Sequence, residues 1–399
     1  RAGSCATCHT PMAAKFANAT NCTWSGCHSD TTAANAQYLL APGTLDPGVS
    51  PLALAGDAAE GISCEFCHKI GDVYTKRDTG LPYPDLPGIL SVRLYRPEEG
   101  HDLFFGPLDD IARADVEAPR DVNLPLMQES EFCAGCHYGI LGGVVVGTME
   151  VKGGVLIYSS YEEWLNSPYT DTITGATCQD CHMPSTGLEY AVYPDQGGVR
   201  RDPEQIHTHK MLGATDADFM QNALTLTATA TLTDCQVAVE VSVTNSGAGH
   251  HVPTDSSLRH VMLIVEATDS NNKPLPLLDG GTLPEWAGNY ADLPGQSYAK
   301  ILEDEWSGEM PSGQIWRPVR VVEDTRLAAL ATDVSHYTFD APDSVITTGT
   351  AKLRVRLVYR RAFQQLMEWK GWSDPDILMG NLTLAVENAQ GAQGCKAGK

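Results

Sequence analysis

Five short segments of the sequence each place two cysteines and a histidine close together. Four follow the pattern Cys-x-x-Cys-His, and the fifth, which starts at Cys22, has two more residues between its cysteines. Two thiols one short turn apart can form thioethers with the vinyl groups on one edge of a porphyrin, and the histidine that follows is then placed under the iron as its proximal ligand. The pattern predicts five covalently attached haems c. The attachment cysteines are Cys5, Cys8, Cys22, Cys27, Cys64, Cys67, Cys133, Cys136, Cys178 and Cys181, and the proximal histidines are His9, His28, His68, His137 and His182.

Zinc and a disulfide framework are the competing interpretations of these cysteines. Paired Cys-x-x-Cys units can share a zinc ion, but a zinc site does not need a histidine directly after every second cysteine. Cysteines in such pairs are usually redox-active rather than structural, which disfavours a disulfide framework. Haem is therefore preferred, and it is also preferred for the longer motif at Cys22 because four regular copies accompany it.

Two cysteines, Cys235 and Cys395, are not followed by histidine. Haem attachment takes place outside the cytoplasm, where disulfides also form. We therefore expect a Cys235–Cys395 bridge that ties the C-terminal tail to a strand, and the alternative is two unpaired thiols.

Seven histidines remain for the distal side of the haem irons, and five haems with two histidine ligands each would need five of them. A turn-rich stretch precedes one candidate, and two more lie in a His-Thr-His segment of loop-like sequence. An adjacent pair follows a glycine, and its second member is the weaker candidate because successive side chains of an extended segment point to opposite sides. The distal candidates are His101, His207, His209, His250 and His251.

The last two histidines lie in alternating, strand-like sequence. His260 begins an apolar run and His336 is in a stretch of polar and aromatic residues. Both are expected to be ordinary sheet histidines rather than ligands. Methionine is a possible distal ligand as well, but Met183 directly follows His182 and cannot reach the opposite face of the same iron.

The attachment motifs all fall in the first half of the chain, which has few periodic elements and many proline and glycine turns. Such a sparse polypeptide cannot build a conventional core, so we expect the porphyrins themselves to form it and folding to depend on haem. The sequence predicts a mostly coil and short-helix pentahaem domain over residues 1–219.

The second half alternates between apolar and polar residues in several β-branched stretches. We predict an all-β, immunoglobulin-like sandwich over residues 220–399, with one helix near residues 361–370. The clearest strands are Leu224–Leu232, Val237–Val243, Val261–Glu266, Leu353–Val358 and Leu382–Val386, and a turn is expected at Asp269–Pro274.

Charge and hydropathy argue against a nucleic-acid-binding protein and against a membrane-spanning one. The chain of 399 residues has a net charge of −23, which argues against nucleic-acid binding because phosphate recognition needs a basic face. The longest apolar stretch, residues 140–158, is interrupted by Glu150 and Lys152, so no membrane span is expected. Residues 1–220 hold 13 basic and 29 acidic residues, a net charge of −16 that either confers solubility or holds haem potentials low.

These motifs, with Cys181-His182-Met183-Pro184 and the segment Asn245–Thr254 followed by Leu258-Arg259, resemble multihaem c-type cytochromes with a C-terminal β-sandwich domain. In that family the first histidine of a Gly-His-x-x-Pro-Thr segment tends to be a haem ligand, which implies this role for His250. Several relatives assemble into extracellular cytochrome filaments, in which a subunit donates a distal histidine to its neighbour.

The resemblance implies an extracellular or cell-surface location, with the periplasm as the alternative. It also implies that the partners are other copies of the chain, redox proteins or extracellular acceptors. A haem attached at Cys5 has little local chain to cover it, so the sandwich or another subunit is expected to do so.

Electron transfer is the function that this pattern predicts, because closely spaced haems pass single electrons without substrate chemistry. The alternative is an enzyme, such as a nitrite or hydroxylamine oxidoreductase, in which one iron has an open distal position. All five motifs keep their histidine and enough histidines remain to close every site, so the sequence favours the electron carrier.

Overall fold

The computed structural model describes residues 62, 64–95, 103–109, 121–145, 151–196, 198–233, 235–315, 317–342, 345 and 350–387. The chain divides into two compact units. The first unit consists of residues 1–213 and 303–320, and the second consists of residues 214–302 and 321–399. Within the described residues, no helix is both long and apolar enough to cross a membrane.

The elements of the first unit are short. Its helices are α1 (Cys64–Cys67), α2 (Glu131–Ala134), α3 (Ser160–Leu165) and α4 (Cys178–His182). Its strands are β1 (Ile70–Val73), β2 (Val92–Leu94), β3 (Phe104–Gly106), β4 (Asp121–Asn123), β5 (Gly139–Leu141), β6 (Val144–Val145), β7 (Val151–Lys152) and β8 (Val155–Tyr158). They form the two-stranded pairs β1–β2, β3–β4, β5–β8 and β6–β7. Single 3-10 turns lie at Gly88–Ser91, Pro125–Gln128, Pro168–Thr170, Pro194–Gln196 and Pro203–Gln205.

A small apolar cluster holds α1, α2 and β1–β2 together. Its buried members are Phe66, Ile70, Val73, Ile89, Val92, Ala134, Tyr138 and Tyr161. Gly135 lies against β2, where a Cβ would come within 2.7 Å of Val92 Cγ1, so this position needs a glycine. The backbone N–H of Gly88 also donates to the Gly135 carbonyl at 2.6 Å. Close backbone packing therefore fixes α2 beside the turn at Gly88–Ser91.

Residues 303–320 belong to the first unit although they interrupt the strands of the second. Within this segment Asp304 is fully buried, accepts hydrogen bonds from the backbone N–H groups of Trp306 and Ser307, and pairs with Arg317 at 3.2 Å. Gly142 (φ 74°) leaves room for the segment, since a Cβ there would lie 2.4 Å from Val319 Cγ2.

The second unit contains two antiparallel sheets. Its helices are α5 (Ala217–Gln221) and α6 (Gln364–Lys370), with a 3-10 segment at Glu285–Tyr290. Its strands are β9 (Leu224–Thr233), β10 (Gln236–Asn245), β11 (His260–Thr268), β12 (Leu277–Asp279), β13 (Gly295–Asp304), β14 (Val319–Asp324), β15 (Thr332–Asp340), β16 (Thr350–Arg360) and β17 (Ile377–Glu387). The strand orders are β12-β15-β10-β9 and β14-β13-β11-β16-β17.

Alternation of apolar residues builds the core between these sheets. In β10 the residues Val237, Val239, Val241 and Val243 are all buried, while the residues between them are exposed or half-buried. Because side chains alternate between the two faces of a strand, one face of this sheet is apolar. It shares a single buried cluster with β11 and β16 of the other sheet, which is the arrangement of a β-sandwich.

The second half is therefore rich in strands, as the alternation predicts, and the five clearest predicted strands lie within β9, β10, β11, β16 and β17. The predicted turn is also present, since Asp269 Oδ1 accepts hydrogen bonds from the N–H groups of Asn271 and Lys273. The helix begins at Gln364, three residues later than expected. The sequence predicts mostly coil and short helices for the first unit, and the structure adds short paired strands, which have too few residues to show alternation.

Candidate haem-binding sites

Three of the five cysteine motifs lie within the described residues, and each begins as a short helix. In α1 and α2 the helical bonding extends to the histidine, because the Cys64 carbonyl accepts from the His68 N–H at 2.9 Å and the Cys133 carbonyl accepts from the His137 N–H at 3.1 Å. The helix α4 runs from Cys178 to His182 itself. A helical turn places the two cysteines and the histidine of a motif close together, which is what attachment to one porphyrin edge requires.

A residue between the cysteines anchors each motif helix. Phe66 and Ala134 are buried in the apolar cluster. Gln179 is also buried, and its side-chain amide donates to the carbonyls of Met127 and Glu129 at 3.1 and 2.8 Å. The thiols are thereby held at fixed places. Six described cysteines are thiols outside any disulfide: Cys64, Cys67, Cys133, Cys136, Cys178 and Cys181.

Two reciprocal hydrogen bonds cap the N-terminus of α4. The Thr177 hydroxyl accepts from the backbone N–H of Asp180 at 3.2 Å, and the Asp180 carboxylate accepts from the backbone N–H of Thr177 at 2.7 Å. This reciprocal pair is a capping box and satisfies N–H groups that the first turn of a helix leaves open. It explains how a helix of only five residues can form around a haem motif.

Two of the predicted proximal histidines donate the Nδ1–H of the ring to a backbone carbonyl. Nδ1 of His68 lies 2.6 Å from the Phe105 oxygen, and Nδ1 of His182 lies 2.5 Å from the Leu212 oxygen. A carbonyl oxygen only accepts hydrogen bonds, so Nδ1 carries the proton in both rings. The lone pair is then on Nε2, which is the state of a histidine that binds iron through Nε2 and has its ring oriented by the other nitrogen.

Two distal candidates show the same arrangement. Nδ1 of His207 donates to the Met183 carbonyl at 2.7 Å, and Nδ1 of His250 donates to the His251 carbonyl at 2.8 Å. The loop that carries His250 is held by the buried side chain of Asn245, whose amide donates to the carbonyls of His250 and Leu327. In both imidazoles the proton is therefore on Nδ1 and the lone pair on Nε2, which is the tautomer of a histidine that binds a metal through Nε2. The neighbouring His251, the weaker distal candidate, is half-buried in the same loop, and its role as a ligand stays a prediction.

His209 lies beside His68, one of the predicted proximal histidines. The ring centroids of His68 and His209 are 6.2 Å apart, and their planes differ by 33°. Metal–imidazole bonds are about 2 Å long, and the ring nitrogen lies roughly 1 Å from the ring centre, so two axial ligands on one metal place their centroids about 6 Å apart. The separation of these two rings fits a haem iron.

Two different motifs meet at their first cysteines. The thiols of Cys133 and Cys178 are hydrogen-bonded to each other, and the Cys178 backbone N–H donates to the Ser130 hydroxyl at 3.0 Å. The bond from Cys133 lowers the pKa of the Cys178 thiol to about 7, and it raises that of Cys133 together with burial. Because these cysteines belong to different motifs, the porphyrin edges attached to them would adjoin.

Other predicted site residues lie outside the described residues. They are Cys5, Cys8, His9, Cys22, Cys27, His28, His101 and Cys395. Cys235 is described and is disulfide-bonded.

The two histidines that the sequence predicts to be sheet residues, His260 and His336, both lie in strands of the second unit. His336 in β15 is exposed, 3.9 Å from Glu240. His260 in β11 is fully buried, stacked on Phe363 at 5.0 Å and edge-on to Trp286 at 5.3 Å. Burial lowers its pKa to about 4, so the ring is neutral, and its Nε2 has no hydrogen-bond partner. The sequence pattern predicts that His260 lies in a strand, but it gives no signal for the two aromatic side chains that enclose its ring.

The fold has a counterpart among solved structures. The crystal structure of a penta-haem cytochrome c552 from Thermochromatium tepidum aligns with a TM-score of 0.60 and 18% sequence identity, over 96% of this chain and 83% of that one. At this identity the likeness shows the fold, and it spans nearly the whole chain. The present protein therefore has the fold of a multihaem cytochrome, and its cysteine motifs fit the same cofactor.

Two further structures align only weakly. A collagen-binding domain from a Staphylococcus aureus adhesin aligns over 41% of this chain and 97% of its own, with 7% identity and a TM-score of 0.17. The structural-genomics target SoR45 aligns over 45% of this chain and 98% of its own, with 9% identity and a TM-score of 0.18. No family model matches the sequence, and no curated protein is similar to it.

Proposed function

We propose that this protein is an electron carrier in which five covalently attached haems c form a continuous path. The observation that carries the proposal is the common geometry of the three described motifs, each of which places two thiols and a histidine on one helical turn. The fold shared with a penta-haem cytochrome supports it. When bound, the haems supply the one-electron chemistry, and the chain spaces them, ligates them and sets their potentials.

Contact between motifs supports a path for electrons. The thiols of Cys133 and Cys178 are within hydrogen-bonding contact, and Cys67 packs against the apolar cluster that contains Ala134 of the Cys133 motif. Three motifs therefore converge in one region of the first unit. Haems attached there would have adjoining edges, which suits transfer between cofactors rather than reaction with a substrate.

The ligand environment favours low potentials. A histidine that donates Nδ1–H to a carbonyl is a more basic ligand, and a basic ligand stabilises ferric iron. His68 and His182 both have such a donor bond. The net charge of −16 on residues 1–220 acts in the same direction, because negative charge near a haem favours the more positive oxidation state.

Haem counting and carbon monoxide binding test the proposal together. We expect five haems per chain in a pyridine haemochrome assay and no carbon monoxide complex in the reduced protein, because every iron has two protein ligands. One carbon monoxide site per chain in the native protein would instead support the enzyme with an open haem. A chain that exports normally and carries no haem would refute both.

We further propose that the carrier works outside the cell, assembles into filaments with other copies of itself and exchanges electrons with redox proteins or extracellular acceptors. This rests on the sequence resemblance described above. Electron microscopy should show filaments of the purified native material, and only single particles across salt and growth conditions would contradict assembly. We also propose that the partner of Cys235 is Cys395, which peptide mapping under non-reducing conditions would identify.

A further inference from the structure

We infer that His209 is the second axial ligand of the haem held by Cys64, Cys67 and His68. The inference rests on the proposed function and deepens it, because it assigns one histidine to one iron. Its starting point is the pair of rings whose centroids lie 6.2 Å apart. Two rings in parallel contact would lie closer, whereas two rings ligating one metal lie about this far apart.

The proximal ring is already oriented for this role. Phe105 is the middle residue of β3, and its carbonyl accepts the His68 Nδ1–H at 2.6 Å. The Phe105 N–H in turn donates to the His68 carbonyl at 2.8 Å, so β3 holds both the backbone and the ring of His68. Nε2 is the only ring nitrogen left for iron.

The ring of His209 lies on a segment that we call the strap and define as residues 183–212. The strap leaves α4 and folds back on itself, with Ser185 bridged to His207 and the Thr208 N–H donating to the Pro184 carbonyl at 3.0 Å. It closes where the Leu212 N–H donates to the His182 carbonyl at 3.0 Å. His209 lies between these two bonds and is exposed, so its position is fixed while its ring stays accessible.

One consequence is that the strap connects two haems. It starts directly after His182, the proximal ligand of the motif at Cys178, and it returns to accept the Nδ1–H of that same histidine on the Leu212 carbonyl. Between these two points it presents His209 to the haem of the motif at Cys64. A displacement of the strap would therefore change the ligation of two irons at once.

The test is His209→Ala in the full, haem-loaded chain, with His336→Ala as the matched control on the exposed face of β15. We expect His209→Ala to keep five haems but to gain one high-spin iron and one carbon monoxide site per chain, and added imidazole should restore the low-spin spectrum. His336→Ala should keep the native spectrum. A His209→Ala protein that stays fully low-spin overturns the inference.

A second comparison identifies the haem. Replacing Cys64 and Cys67 by alanine removes the haem in question, so His209→Ala in that background should create no new carbon monoxide site. A new site there would show that His209 serves another haem and would overturn the inference. If His209→Ala does not accumulate, His209→Met answers the same question, since methionine ligation should keep the iron low-spin and raise the potential of one haem. No haem in the unaltered chain would instead refute the proposed function.

Discussion

The two units build their interiors differently. In the described part of the second unit, a single cluster holds 26 buried apolar residues drawn from both sheets, whereas the cluster around the motif helices of the first unit holds eight. Strands of the second unit reach 11 residues, whereas the helices and strands described in the first unit have at most six. Elements so short do not persist in water without packing, because few hydrogen bonds offset the entropy of ordering them.

This contrast indicates which part of the chain builds its core from its own side chains. The second unit has the alternating pattern and the shared core of an independent sandwich. The first unit uses its few apolar residues to place cysteines and histidines, and we expect it to need a cofactor for the remaining buried surface.

Loss of haem should unfold one unit and spare the other. We expect a full chain in which the six described motif cysteines are replaced by alanine to lose protection of β1 and β2 and to keep protection of β10 and β16. Hydrogen exchange measured by mass spectrometry reports each strand separately. Equal protection in both units would show that the first unit does not depend on haem, and the loaded wild-type protein is the reference.

A cavity in the sandwich core should cost more than one in the small cluster. Leu357 is fully buried in β16, and Leu357→Ala should reduce the free energy of unfolding of the second unit by about 2 to 5 kcal/mol. Ile89→Ala is the matched change in the first unit, and we expect a smaller loss in the haem-loaded protein because covalently attached haems would hold this unit together. Denaturant unfolding gives the two free energies separately when it is followed by far-UV circular dichroism, which reports the strands, and by haem absorbance.

Acid should destabilise the second unit through His260. Its pKa is about 4 in the folded chain and 6.5 ordinarily. Above pH 6.5 the ring is therefore neutral in the folded and in the unfolded chain, and its protonation does not lower the free energy of unfolding. As the pH falls from 6.5 to 4, the unfolded chain binds the proton first, and about 3 kcal/mol of stability is lost.

His260→Phe should remove this loss, because phenylalanine can occupy the place between Phe363 and Trp286 and cannot be protonated. The measurement is the unfolding free energy at pH 7 and pH 5 for the variant and the wild type. His336→Phe, on the surface, is the control and should keep the acid sensitivity. A variant that loses as much stability in acid as the wild type would contradict the assignment.

The smallest effect is expected at the exposed pair of His336 and Glu240, whose side chains are 69% and 54% exposed. Solvent screens such a pair, so Glu240→Gln should leave thermal unfolding unchanged within measurement error. A clear drop in the unfolding temperature would mean that this face of the sandwich is covered in the native protein.

A feature of the fold or of the site can be predicted from the sequence when it depends on residues that are close together in the chain. Strands such as β10 and β16 follow from period-2 alternation within ten or so residues, and the haem motifs follow from adjacent residues. The proximity of His68 and His209 could not be predicted, because it depends on how the strap folds back on α4. The same holds for the contact of Cys133 with Cys178. Strands as short as β6 and β7 have too few residues to show a period at all.

The interruption of the sandwich by residues 303–320 limits how the gene can be divided. The chain passes from one compact unit to the other after Gly213, after Leu302 and after Arg320. A single cut near residue 220 would leave this segment on the sandwich fragment and remove it, with the buried Asp304–Arg317 pair, from the haem-bearing fragment. To produce the units separately, one would have to replace the segment by a turn in the sandwich gene and supply it to the other gene as an appended or co-expressed piece.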